Sequence, residues 1–133
     1  MRCLYQYYQP NQKDKKNQYG DCVIRALSKA YQKTWLQVFD ELVPLSRMLQ
    51  APHNSAACYT VYLKQHGARY QDLSRSDCPR PTVASFARDH ACGTYFLVSA
   101  QHVVTVQDGC YFDSWDSGSS LIYGIWTIQR KKV

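Results

Sequence analysis

The stretch His102-Val103-Val104-Thr105-Val106-Gln107-Asp108-Gly109-Cys110-Tyr111-Phe112-Asp113-Ser114-Trp115 decides how the second half of this chain folds. Its first limb is rich in β-branched residues, and Asp-Gly is the strongest two-residue hairpin signal. With Asp108 and Gly109 as the turn, Gln107 faces Cys110, Val104 faces Asp113 and His102 faces Trp115. Side chains alternate along a strand, so His102, Val104, Val106, Tyr111, Asp113 and Trp115 share one face. Asp113 is then the diagonal neighbour of His102, within reach of a carboxylate-to-imidazole hydrogen bond. A slip of one residue would separate the two.

Outward from the hairpin, Tyr95-Phe96-Leu97-Val98 reads as a preceding strand, and Gly118-Ser119-Ser120 breaks the chain before a last one, Leu121 to Ile128. Before Gly93 the period is helical. Cys22, Val23, Ala26, Leu27, Ala30 and Tyr31 fall on one face of a helix, with Arg25, Lys29 and Lys33 elsewhere, and Asp21 is a favourable N-cap. Thr34 caps a second helix that turns Trp35, Val38, Phe39 and Leu42 inward and ends before Pro44. A third starts near Asn54, carries Cys58, Val61 and Tyr62, and uses Gly67 as C-cap. A short fourth runs through Val83, Phe86 and Ala87. The expectation is one α+β domain over 1–133: an N-terminal arm or loop at 1–20, a helical part at 21–92, and an antiparallel sheet at 93–128.

Composition narrows the setting. The chain has 133 residues, 45% hydrophobic and 14% aromatic, enough for one core without staples. The net charge of +6 gathers in Lys13, Lys15 and Lys16 and in Arg130, Lys131 and Lys132. Solvated basic ends account for it more simply than nucleic acid does, although Tyr5, Tyr7 and Tyr8 beside lysines have the composition of a single-strand stacking arm. Six irregularly spaced cysteines, with no C-x-x-C, read as reduced thiols. The first residues lack the apolar run of a leader, which makes the expected setting cytoplasmic. No stretch is long enough to span a membrane, His53, His66, His90 and His102 are not spaced with cysteines as zinc ligands, and no cofactor is implied.

Gly20-Asp21-Cys22 opens the first helix. A thiol there faces unpaired backbone N–H groups and the positive end of the helix dipole, both of which favour the thiolate. Asp21 opposes this unless its carboxylate is occupied as a cap. A lone cysteine beside Val23 would be read as core packing. Cysteine, imidazole and acid together form the set needed for nucleophilic catalysis, with Cys22 attacking, His102 carrying the proton and Asp113 fixing the tautomer. Trp115 would shield the pair, and Asp116 is a fallback acid of the wrong parity if the strand continues.

This order resembles the papain-like cysteine peptidases, whose third motif is an Asn-Ser-Trp run beside the histidine strand; many bacterial members carry aspartate there, as in Asp113-Ser114-Trp115. It is more similar still to small bacterial and phage-borne proteins that share Gly20 to Ala26, Thr82 to Phe86, Gly93-Thr94-Tyr95, His102-Val103-Val104 and Asp113 to Ser117. The likeness covers about residues 9 to 126. Peptidase domains of bacteriocin exporters are more distantly similar.

The resemblance implies a papain-like fold and a Cys22–His102–Asp113 hydrolase acting on a peptide or isopeptide amide, with transglutamination and small-amide hydrolysis open to the same machinery. It also marks a departure. The larger groups carry an oxyanion-stabilising glutamine six residues before the cysteine, where this chain has Lys16, leaving Asn17 or Gln18 as candidates. Two other readings stay open: a non-catalytic binding or regulatory protein, and a nucleic-acid-binding accessory factor of a mobile element.

Overall fold

A computed structural model describes residues 4–75 and 79–129. Four helices and six strands follow the order β1 (Tyr5–Tyr7), α1 (Cys22–Tyr31), α2 (Trp35–Leu49), α3 (Ala56–Gln65), β2 (Arg69–Asp72), α4 (Val83–Asp89), β3 (Thr94–Ser99), β4 (His102–Gln107), β5 (Cys110–Asp113) and β6 (Ile122–Thr127). The strands form one sheet in the order β1-β5-β4-β3-β6-β2. The protein is α+β, as expected.

The β4–β5 hairpin has the register that its turn dictates. Gln107 pairs with Cys110, Val106 with Tyr111 and Thr105 with Phe112. Asp108 and Gly109 both take positive φ, 51° and 84°, as a type I′ turn demands. The strand ends at Asp113, and the chain bends at Ser114 and Trp115, so the expected His102–Trp115 pairing lies outside the ladder.

Alternation divides the core in two. Val103 and Phe96 pack with α1, α2 and α3 on one side, and Val104, Val106, Leu97 and Tyr111 pack with Val83, Phe86 and Ala87 of α4 on the other. Helix α1 lies across β4, where Thr105 Oγ1 donates to the Ala26 carbonyl at 2.6 Å. Seven of its ten residues are buried, including Arg25 and Ser28, so it is a central helix and not a surface one.

Three expectations need correction. The sheet is mixed: β1, placed in an irregular arm, pairs in parallel with β5, where Tyr5 lies opposite Tyr111 and Tyr7 opposite Asp113. Strand β2, within the expected helical part, pairs antiparallel with β6 although all four of its residues are exposed. Its edge position removes the alternation that reveals a strand in sequence.

Helix α2 runs through Pro44 to Leu49. Pro44 is exposed, while Leu42 and Leu45 on either side of it are buried and hold the helix together. The third helix starts at its Ser55 cap and ends where Gly67 takes φ +78° and donates to the Lys64 carbonyl. No helix among the described residues is long and apolar enough to cross a membrane.

Candidate active site

The first residue of α1, the first of β4 and the last of β5 meet at one end of the sheet. His102 Nε2 lies 2.6 Å from Asp113 Oδ2, leaving Nδ1 for the Cys22 thiol, which lines the same cavity and whose ionisation the ring favours. Asp113 is 1% exposed and fully subscribed. Its Oδ2 also accepts from Ser117 Oγ at 2.6 Å, and its Oδ1 accepts from the Ser114 N–H at 2.8 Å and Arg25 Nε at 3.1 Å. An acid held by this many donors has one orientation. Trp115 sits with its ring 4.9 Å from that of His102 while remaining 44% exposed, so it covers the imidazole only in part.

The surroundings set the charges. Burial is the strongest influence on Cys22 and raises its pKa. The His102 hydrogen bond, the Val103 backbone and the positive charges of His102 and Arg25 act the other way, and their sum leaves the thiol below its ordinary value. For His102, burial lowers the pKa, but hydrogen bonds to Asp113 and Cys22 and their negative charges outweigh it, pushing it up to about 9. Both shifts run in the direction that favours a thiolate beside an imidazolium.

Cys22, Val23, Asn54, Ala56, Tyr59, Ser99, Gln101, His102 and Val103 line a cavity of about 250 Å³ between the helices and the sheet. Among the described residues, no acidic, lysine or arginine side chain lines it. The thiol is half-buried and reachable, unlike Cys58, which is fully buried.

Several expected residues lie elsewhere. Asp116 bonds to Tyr111 and accepts from the Gly118 N–H at 3.0 Å, lining a separate cavity with Thr82 and Ser119. It is no substitute for Asp113. Asn17, in a left-handed conformation with φ 55°, accepts from Ser114 Oγ at 2.7 Å, and Gln18 is exposed. Neither lines the cavity. The loop that carries them is folded around buried Asp14, whose carboxylate accepts from the N–H groups of Gln18 and Tyr19.

Asp21 occupies the N-cap position without capping: its carboxylate accepts from Arg25 Nη1 and Trp35 Nε1, both at 2.9 Å. Cys22, Cys58 and Cys92 are free thiols, whereas Cys110 is disulfide-bonded, which corrects the expectation of reduced cysteines at that position. Cys3 and Cys78, like Arg130, Lys131 and Lys132, lie outside the described residues.

Sequence reasoning overlooked Arg25, Ser117 and Asn54. Arg25 had a detectable signal: an arginine inside Val-Ile-Arg-Ala-Leu, four residues after an aspartate, must find partners if the helix is buried. Asn54 had none, because only the tertiary fold brings the loop before α3 up to the start of α1. Its Nδ2 donates to the Gly20 carbonyl at 3.3 Å, two residues before the thiol. Comparison of the chain with family models, with curated proteins and with solved structures yields no match.

Proposed function

We propose that this protein is a cysteine hydrolase with a papain-like arrangement, cleaving an amide in a peptide or isopeptide substrate. The observation that carries the reading is the His102–Asp113 hydrogen bond with the Cys22 thiol on the same cavity wall as the imidazole. The Cys22 thiolate adds to the carbonyl carbon, and the carbonyl electrons move onto oxygen. The C–N bond then breaks as the His102 imidazolium gives its Nδ1 proton to the departing nitrogen, leaving a thioester. Neutral His102 takes a proton from water, the resulting hydroxide displaces the sulfur, and the acid leaves with the thiolate restored. Asp113 keeps Nδ1 aimed at the sulfur throughout.

The oxyanion needs donors, and the Cys22 backbone N–H at the start of α1 is one. We assign the second to Asn54 in place of Asn17 or Gln18, because it lines the cavity and its carboxamide sits beside the helix start. Loss of one such donor typically costs about 2.7–4 kcal/mol of transition-state stabilisation.

A second reading, a binding or regulatory protein without turnover, is favoured by Lys16 at the glutamine position and by Asn17 being engaged with Ser114. Nucleic-acid stacking by the arm has less support. Tyr5 packs on Tyr111 and Tyr8 bonds Ser28, leaving Tyr7 exposed among the three. A cytoplasmic setting is proposed because the reaction needs Cys22 reduced. The Cys110 disulfide is the feature that favours an oxidising compartment.

Profiling a peptide library against the protein and its Cys22→Ala variant tests the proposal. Cleavage by the former alone, with an acyl adduct on Cys22 detected by mass spectrometry, is expected. An intact library, with Cys22 alkylated no faster than exposed Cys92, would overturn it.

A further inference from the structure

Arg25 is an unexpected feature of α1. It is 4% exposed, sits one turn from Cys22 and touches two carboxylates from different parts of the chain. Nη1 bonds Asp21 Oδ1 at 2.9 Å, while Nε and Nη2 both lie 3.1 Å from Asp113 Oδ1. Burying a guanidinium is costly unless each face of it is answered by an acid, and here both are.

The consequence shows at the helix start. Thr34, Ser55 and Thr82 cap α2, α3 and α4 in the ordinary way, each accepting from a backbone N–H three residues on. Asp21 has a side chain equally suited to this, yet α1 has no side-chain cap. Its two oxygens are taken by Arg25 and Trp35. A carboxylate left to cap would stand its negative charge beside the sulfur of Cys22, where it would oppose thiolate formation.

We propose that Arg25 is a positioning residue for the Cys22 site: it locks Asp113 with Oδ2 toward His102 and draws the Asp21 carboxylate off the start of α1, setting its one positive charge between the two acids. The inference rests on the hydrolase reading for its purpose, but the acid–base behaviour it describes belongs to the protein without substrate. Ser114 and Ser117 keep Asp113 hydrogen-bonded if Arg25 is lost, so the charge effect is separable from collapse of the acid.

The test is the pH profile of Cys22 alkylation by iodoacetamide, followed by peptide mass spectrometry, in variants whose circular dichroism matches that of the parent. Arg25→Gln should shift the midpoint upward by about one pH unit, which is about tenfold slower labelling below it. Arg25→Lys, which restores the charge but not the fork, should recover at least about a third of the parent rate.

Adding Asp21→Asn to Arg25→Gln should move the midpoint back toward the parent, because the acid left unanswered is removed. Asp21→Asn alone should lower the midpoint, and it serves if Arg25→Gln does not fold. A midpoint unmoved by Arg25→Gln, or one that Asp21→Asn does not bring back, would show Arg25 to be a structural strut only. If the protein cleaves nothing while these shifts occur, the hydrolase reading fails and the positioning role stands.

Discussion

His102 Nε2 and Asp113 Oδ2 are 2.6 Å apart although eleven positions separate the residues, and the two-residue Asp108-Gly109 turn sets that separation. The turn fixes the register, the register places one residue at the start of β4 and the other at the end of β5, and the side chains meet beyond the last ladder pairs. The pair sits where the opening of α1 delivers a thiol.

Removing the imidazole should reverse the direction in which Cys22 is perturbed. The thiol lies below its ordinary value because His102, the Val103 backbone and Arg25 outweigh burial. In His102→Ala the burial remains and the largest opposing influence is gone, so the midpoint for alkylation should rise above that of an exposed cysteine such as Cys92. Identical profiles for the parent and the variant would refute the thiol–imidazole coupling.

Stability should fall with rising pH through His102. Its pKa in the folded protein is raised to about 9 from an ordinary 6.5, so the folded state binds the proton more tightly than the unfolded chain does. The contribution is complete below pH 6.5 and is lost as pH rises toward 9. Cys22 titrates with the opposite sign, so urea unfolding is best followed in Cys22→Ser, where the window closes somewhat below pH 9. Its unfolding free energy should decline across that window, and that of Cys22→Ser/His102→Asn should stay flat.

The two neighbouring aspartates should behave differently. Asp113→Asn leaves Arg25 and His102 facing an uncharged amide in a buried site, and breaking such a pair typically costs about 3–5 kcal/mol. Cys22 labelling should slow with it. Asp116→Asn disturbs Tyr111 and the Gly118 turn, away from the imidazole, and labelling should stay within about twofold of the parent, as expected for a charge screened at a distance. Equal slowing in both would argue against Asp113 as the orienting acid.

Pro44→Ala should stabilise the protein. Proline in a helix interior costs about 3 kcal/mol relative to alanine, and Pro44 is exposed, so little packing is lost with it. A freer unfolded chain offsets about 0.4–1 kcal/mol of the gain. A net increase near 2 kcal/mol in urea unfolding is expected; a decrease would mean that the ring is packed to advantage.

Residues whose roles follow from their immediate neighbours were legible without coordinates. The α1 period, the Thr34 cap, the Asp-Gly hairpin and the His102–Asp113 diagonal are set by backbone geometry over a few residues, and each is present. Strand β1 was missed because a three-residue parallel edge gains its hydrogen bonds from β5, far along the chain. Helical periodicity puts Arg25 away from the core because it assumes one wet face, which α1 lacks.

The sequence by itself determined which acid and base can meet and which helix presents the thiol, because alternation and periodicity are properties of the local chain. Only the tertiary structure decided where Asp21 points, that Arg25 is buried between two carboxylates, and that Asn54 rather than Asn17 or Gln18 lines the cavity. Those outcomes depend on which distant surfaces exclude water from one another, and a buried charge takes whichever partner that packing brings within reach.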